Sequence, residues 1–430
     1  MRVLIASSGS RGDVEPFLTL ARALQDRGHS VTVSLSAGFE ERAAAVGVHY
    51  EPNGHDPRRM RQMLEERRAE GWRSLRDGFL PLALQGLVFD LIEQARRLAR
   101  LARESDLLIS AGPWPAPMTA VDATGVAHVR VGLTPAKLPS SQHPPPDFPF
   151  HVSGWRARSL WTLYNGSRSI VFRSARRLFN DERRRMGLPP ERRVMEDLTR
   201  RDVERIMLAD PLLLPIPTDA PGRWTQPGAL LPYDDGTPLP DALDEFLASG
   251  PPPIYLGFGS MQEVPPEAIS AMATAAARRV GCRLLLSAGW VGLGDVGADD
   301  HVRTIGDVPH GRLFPRCAGV VHHGGAGTFT TAAAAGVPQL VVPHRGDHYH
   351  HARRGERLGI AVKCLGVKQL SRETFADRFG RMLEDEGLRR RALEVGAVVS
   401  ERDPLPALLH RIEAAVGGAA GADPQAAAAR

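Results

Sequence analysis

The chain has 430 residues, 43% of them hydrophobic, too long for one ordinary domain and apolar enough for two packed cores. Its formal charge of +5 comes almost wholly from arginine, Lys137, Lys363 and Lys368 being the only lysines; the arginines crowding 156–205 alternate with Asp181, Glu182, Glu196 and Asp197, a solvated helix face that argues against a nucleic-acid partner. No secretory leader or ~18-residue apolar span is read, and Cys282, Cys317 and Cys364 are odd in number and far apart, so a reduced, cytoplasmic protein is expected.

In chain order, strands are predicted over 2–7, 30–36, 106–110 and 128–132, and helices over 14–27, 39–45 and within 57–103. Phe17, Leu20, Ala21 and Leu24 recur at helical spacing and give the first helix its buried face. This alternation is the βαβ pattern of a parallel sheet. A stiff proline-rich loop, 144–150, and an arginine-rich helical stretch follow. Prolines then punctuate 211–250, which reads as an irregular linker. A second alternating domain occupies 251–400, with strands at 254–258, 284–287, 302–305, 319–322 and 339–342 and helices near 267–280 and from 327. Residues 401–416 read as a helix able to pack back on the first domain, 1–210, and the Ala/Gly-rich 417–430 as a disordered tail. The fold class is α/β: two such domains whose strand ends face each other across a cleft.

Each domain carries a glycine-rich turn from strand to helix. The first, Ser7-Ser8-Gly9-Ser10-Arg11-Gly12-Asp13, has an acid where a phosphate would be repelled; on spacing alone Asp13 is an N-cap for a helix starting at Val14. The second, His322-His323-Gly324-Gly325-Ala326-Gly327-Thr328, suits an anion: small residues let backbone N–H groups approach, the helix N-terminus adds partial positive charge, Thr328 offers a hydroxyl and His323 a ring N–H. Neither turn is GxGxxG or holds a Walker lysine, so no nicotinamide or other resident cofactor is expected. His344, His348, His350 and His351 lack a ligand framework, and no metal is expected.

The HHGGAGT turn, the following AGVPQLVVP, Gly346-Asp347, Leu256-Gly257-Phe258-Gly259-Ser260, Ser287-Ala288-Gly289-Trp290 and Val308-Pro309-His310 resemble the donor-binding signature of family 1 nucleotide-sugar glycosyltransferases. The N-terminal GSRGDVEPF resembles both the vancomycin-type glycopeptide glycosyltransferases and the sterol glucosyltransferases. The resemblance covers both domains in order, and no motif carries over between about 50 and 210. It implies the GT-B fold: two facing Rossmann-like domains, acceptor on the first and donor on the second. It implies that Ser260, His323, Gly327 and Thr328 hold a diphosphate, with Gly324 and Gly325 also in the donor-binding turn and Ser10 and Arg11 assisting from across the cleft. It implies further that Trp290 and Val308 line the base and ribose, and that Asp347 and His348 meet the sugar. Many relatives have Gln where this chain has His348, so a sugar other than plain glucose is expected.

The resemblance makes Asp13 the catalytic base of an inverting, metal-free O-glycosyl transfer, a role compatible with capping. The co-substrates implied are a UDP- or TDP-sugar and a lipophilic aglycone. Trp114, past a strand end, is the main acceptor-side candidate, with Phe79 and Phe148 beside it. Membrane contact is not required, and the oligomeric state is not read. The alternatives are a sterol or lipid glucosyltransferase at a membrane surface and a non-catalytic activator of another transferase; the intact donor turn speaks against the second.

Overall fold

A computed structural model describes residues 1–54, 79–112, 115–171, 173–191, 203–234, 236–259, 264–288 and 301–419. The first domain runs β1 Arg2–Ala6, α1 Arg11–Asp26, β2 Ser30–Leu35, α2 Glu40–Val46, β3 His49–Pro52, α3 Phe79–Ala102, β4 Leu107–Ala111, α4 Pro115–Thr124, β5 Ala127–Gly132, α5 Trp155–Val171, α6 Arg173–Arg185 and β6 Glu204–Met207. The second runs α7 Asp241–Ala248, β7 Ile254–Gly257, α8 Pro266–Val280, β8 Leu284–Ser287, β9 Val302–Ile305, α9 His310–Leu313, β10 Gly319–His322, α10 Ala326–Ala334, β11 Gln339–Val341, α11 His348–Leu358, β12 Ala361–Val362, α12 Arg372–Glu384 and α13 Glu386–Ser400. A last helix, α14 Leu405–Ala419, closes the described chain.

Both sheets are parallel and six-stranded, in the orders β3-β2-β1-β4-β5-β6 and β12-β11-β10-β7-β8-β9. Each is the doubly wound arrangement, whose strand order reverses at one point: between β1 and β4 in the first, between β7 and β10 in the second. Ligands bind beyond the strand ends at such a reversal. The two glycine-rich turns leave β1 and β10, so both start at a reversal point.

Parallel strands covered on both faces read as near-continuous apolar runs, and the central strands β1 and β7 do. Along β1, Val3 and Ile5 enter the core formed with Phe17, Leu20 and Leu24 of α1, while Leu4 and Ala6 enter a second core against α3, α4 and Phe179 of α6. In β7, Ile254 and Leu256 face α8 and α12, and Tyr255 faces Phe314 and α7. Helix α14 crosses back to the first domain, where Leu408, Leu409 and Ile412 join the α1 core and Glu413 pairs with Arg27 and His29.

The domains also meet through an apolar seam. Leu138, Met207, Leu213 and Leu214 of the first half pack on Phe329, Ile360, Val395 and Val399 of the second. Arg354 donates to the carbonyls of Leu212 and Leu213, and Arg402 pairs with Asp210.

Several expectations are corrected. Helix α1 begins at Arg11 rather than Val14, so Ser10 is its N-cap and Asp13 stands in its first turn. The segment 211–250 is not wholly irregular: it contains α7, whose Leu243, Phe246 and Leu247 are buried in the second domain, and Thr225 pairs with β6 at the sheet edge. The tail does not begin at 417, because the glycines there continue α14 to Ala419. Strands β3, β6 and β12 and helices α4, α9 and α11 to α13 were not foreseen; β3 and β12 are short edge strands, and α4 opens Pro-Ala-Pro, which reads as a loop. Of the long helix predicted within 57–103, the part before 79 lies outside the described residues.

Candidate active site

The second-domain turn is held by its neighbours before any ligand arrives. Gly324 adopts φ +97°, and a Cβ there would stand 2.8 Å from Val341 Cγ1 and 3.1 Å from His348 Cβ. Its N–H donates to Nδ1 of buried His322 at 3.1 Å, and its carbonyl accepts from Nδ1 of buried His351 at 2.6 Å. Both polar groups of Gly324 are therefore used inside the protein, so this residue shapes the loop.

The groups left over come next in sequence. Gly325 is the N-cap of α10, and the first helical bond runs from the Phe329 N–H to the Gly325 carbonyl. The N–H groups of Gly325, Ala326, Gly327 and Thr328 thus have no intrahelical acceptor, and they concentrate the positive end of the helix dipole. The His323 ring lies against this turn, and its Nδ1 is buried without a partner. Burial holds His323 well below its ordinary pKa, with His348, His322, His344 and His351 adding repulsion. A neutral ring is a hydrogen-bond donor at one nitrogen without adding a full charge.

Asp347 N-caps α11, and His348 starts it. Burial alone would raise a carboxyl, but the Lys137 ammonium and a hydrogen bond from the residue's own backbone oppose it, and Asp347 lies below its ordinary value. Burial carries the opposite way for His348, whose pKa falls to about 3 against the pull of Asp347. The pair is an ionised carboxylate beside a neutral imidazole whose Nδ1 is buried and unpartnered. The two rings of His323 and His348 meet edge-on, centroids 4.9 Å apart, so the glycine-rich turn and the start of α11 are adjacent. Among the described residues, no group of three His, Cys, Asp or Glu side chains is arranged to hold a metal ion.

In the first domain, Gly9 has φ +138°, and a Cβ there would stand 2.4 Å from Asp13 Oδ2. That close approach lets one carboxylate oxygen, Oδ2, accept both the Ser10 N–H (2.9 Å) and the Ser10 hydroxyl (3.0 Å). Asp13 is therefore the partner of the cap rather than the cap itself. Its other oxygen, Oδ1, has no partner among the described residues. Ser7 donates to the Asp13 carbonyl at 2.7 Å, fixing the turn to β1.

The two turns are brought together across the domains. Helices α1 and α10 are in contact. Arg11 pairs with Glu15 on its own helix and with Asp307 of the second domain, so its guanidinium is engaged by protein carboxylates. The proline-rich loop docks on the loop that precedes α11: the Asp147 N–H donates to the Gly346 carbonyl (3.1 Å), and the Gly346 N–H donates to Asp147 Oδ1 (2.6 Å). Phe148 sits in this loop, edge-on to Phe150, and its carbonyl accepts from Arg353. The Val308 side chain is buried in the core with Leu313 and Phe314, which leaves its backbone as the part able to line a base or ribose. Ser260, Trp290 and Trp114 lie outside the described residues, as does the side chain of Phe79.

Sequence reasoning missed His322, His351, Thr134, Lys137 and Asp307. Lys137 had one available signal, being one of three lysines in the chain. His322 and His351 stand in stretches already marked, but their bonds to Gly324 were not foreseen; Thr134 and Asp307 had no signal, since their roles depend on contacts between distant segments.

Comparison with known proteins agrees with this arrangement. Residues 3–83 match the glycosyltransferase family 28 N-terminal domain, and residues 293–414 match the C-terminal domain of erythromycin biosynthesis protein CIII-like proteins. The chain is 36% identical to the vancomycin aglycone glucosyltransferase of Amycolatopsis orientalis, over 84% of this chain and 85% of that one. It is 33% identical to the O-mycaminosyltylonolide 6-deoxyallosyltransferase of Streptomyces fradiae, over 94% of each. The crystal structure of the glycosyltransferase VinC in complex with dTDP superposes with a TM-score of 0.67 at 20% identity, covering 97% of this chain and 100% of that one. The fold is GT-B, and the chain belongs to the family 1 glycosyltransferases.

Proposed function

We propose that this enzyme is an inverting O-glycosyltransferase that needs no metal and no resident cofactor. It moves a sugar, from a TDP or UDP carrier, to a hydroxyl of a lipophilic natural-product aglycone. Relatives named for glycopeptide and macrolide-type acceptors support that acceptor class. No helix among the described residues is long and apolar enough to cross a membrane.

The observation that carries the reading is the state of Asp13: one carboxylate oxygen fixed twice by Ser10, the other without a partner, on a turn facing the domain with the anion-accepting helix. In the reaction, Oδ1 takes the acceptor O–H proton as the acceptor oxygen attacks the anomeric carbon. The bond from that carbon to the phosphate oxygen breaks, and one displacement inverts the configuration. An ordinary carboxylate cannot deprotonate an alcohol beforehand, so the transfer occurs within the transition state. Negative charge growing on the departing diphosphate meets the free N–H groups of Gly325 to Thr328, the Thr328 hydroxyl and the neutral His323 ring. Ser260 and Trp290 complete the donor site in this reading, and Ser10 lies at the cleft side of the base. Arg11 acts on the diphosphate only by leaving Asp307. Trp114, Phe79 and Phe148 line the acceptor side.

A screen of TDP- and UDP-sugars against aglycone panels, read by mass spectrometry, tests this. A product heavier by one sugar residue, formed in the presence of a chelator and with the anomeric configuration inverted, is expected. Retained configuration, or activity abolished by the chelator, would overturn the mechanism.

A further inference from the structure

The first domain reaches the diphosphate turn through one histidine. His351, in the first turns of α11, is fully buried, and its ring stacks on Phe329 at 5.7 Å with an 11° tilt. Its Nδ1 lies 2.6 Å from the Gly324 carbonyl oxygen, and its Nε2 3.0 Å from Thr134 Oγ1 of the first domain. A carbonyl oxygen can only accept, so Nδ1 carries the proton. Burial keeps the ring neutral, outweighing the attraction of Asp347. Nε2 is then a bare lone pair, and the Thr134 hydroxyl must donate to it. That same Oγ1 accepts the Ala136 N–H at 3.3 Å, capping the short 3₁₀ turn Pro135–Lys137. Each hydrogen-bonding capacity along the chain Ala136, Thr134, His351, Gly324 is used in one direction only.

Gly324 is held from the other side as well. The His322 Nε2–H donates to Gln339 Oε1 at 2.9 Å, which leaves Nδ1 to accept the Gly324 N–H. Gly324 has no side chain, so these two bonds are what sets the direction of its peptide groups, and hence where the N–H groups that follow it point. The 3₁₀ turn that begins at Thr134 ends at Lys137, the cation nearest in effect to Asp347. One turn of the first domain thus bears on both the phosphate loop and the sugar-side carboxylate.

We propose that Thr134 and His351 are positioning residues for donor binding: the bridge Thr134–His351–Gly324 transmits the seating of the first domain to the diphosphate loop, so that the loop's N–H groups are fully aligned only when the two domains are docked. The proposal rests on the diphosphate reading of Gly325 to Thr328 given above. Neither residue need touch the donor.

The test is calorimetry with TDP and with UDP alone, on the full chain, well below the melting temperature of each variant. Thr134→Val keeps the shape and methyl group but removes the hydroxyl; Thr134→Ser keeps the hydroxyl and removes the methyl. Losing the bond to His351, together with the longer one from the Ala136 N–H, should weaken the diphosphate about 3- to 10-fold in Thr134→Val, while Thr134→Ser, which can keep both, stays within about 2-fold of wild type. His351→Phe, which keeps the stack on Phe329, should lose more than about 10-fold, since the Gly324 carbonyl loses its only donor. A role in packing alone predicts the reverse order for the threonine pair. Wild-type affinity in Thr134→Val, or equal losses in Thr134→Val and Thr134→Ser, would overturn the bridge while leaving the diphosphate site standing. Failure of the wild type to bind either diphosphate would overturn the donor reading and the bridge with it.

Discussion

Replacing Asp13 by Asn separates its two possible duties. The Asn side-chain oxygen can take over both bonds from Ser10, now 2.9 and 3.0 Å long, so the start of α1 should stay capped. What the fold loses is a negative charge at a helix N-terminus, worth about 0.3–1 kcal/mol. What the reaction loses is its proton acceptor, because the amide nitrogen would stand where Oδ1 does and has no lone pair to offer. That costs roughly 100-fold or more in turnover, at least about 2.7 kcal/mol on the barrier. The barrier term exceeds the stability term, so the two can be read apart. Turnover under saturating donor and acceptor should collapse in Asp13→Asn while the melting temperature moves little and TDP or UDP binds as in the wild type. Asp13→Ala should match that rate loss and also lower stability by about 1 kcal/mol or more, since the Ser10 bonds go too. An Asn variant turning over at nearly the wild-type rate would show that Asp13 only holds the helix, and would refute the base assignment.

His323→Ala and Thr328→Ala should each weaken the bare nucleoside diphosphate by about 1.5–3 kcal/mol, roughly 10- to 150-fold, as hydrogen bonds to charged groups do; unchanged affinity in both would move the phosphate elsewhere. Acid should destabilise the fold: burial lowers His310 and His322 to about 4 and His348 to about 3, so the unfolded chain binds protons on these rings that the native one does not. Their contribution is complete above the unfolded value of about 6.5, shrinks as pH falls, and is down by about 2 kcal/mol per ring at pH 5, which denaturant titrations at pH 7 and 5 would detect; a flat profile would mean that the rings are charged in the fold. His348→Gln should shift the ratio of kcat/KM for a deoxysugar donor against glucose toward glucose, and Asp347→Ala should impair every donor; an unmoved ratio would place sugar choice elsewhere.

The parts of the fold visible in the sequence are those where local pattern and final environment agree. Val3 to Ala6 and Ile254 to Gly257 are buried on both faces of their sheets, and continuous apolar runs announce that. The edges lack this agreement. His49 to Pro52 forms β3 by pairing with Thr32 to Leu35, with no apolar alternation of its own. Glu204 to Met207 forms β6 beside β5, and its other neighbour is a single residue, Thr225, from a segment whose prolines suggested no structure. A strand that exists because its partner is there has little signature before the partner is placed.

The site divides along the same line. Glycines and hydroxyls marked both turns, because a backbone that must approach an anion or a carboxylate closely has few residue types to choose from. The sequence motif did not show which of its members meet the ligand and which only hold the loop. His322 and His323 are adjacent and chemically identical, yet one is fully buried with both ring nitrogens spent on Gln339 and Gly324, and the other keeps a buried nitrogen without a protein partner. That difference arises from β10: consecutive residues at the end of a strand point to opposite faces, so one ring turns into the core and its neighbour turns toward the cleft. The histidine that holds the same glycine from the other side, His351, has its proton placed by the Gly324 carbonyl and its second nitrogen met by Thr134, a residue 217 positions away in the chain. Spacing within a motif therefore identifies where the backbone must be shaped, whereas the protonation and direction of each ring follow only from its folded neighbours, and for His351 only once both domains are in place.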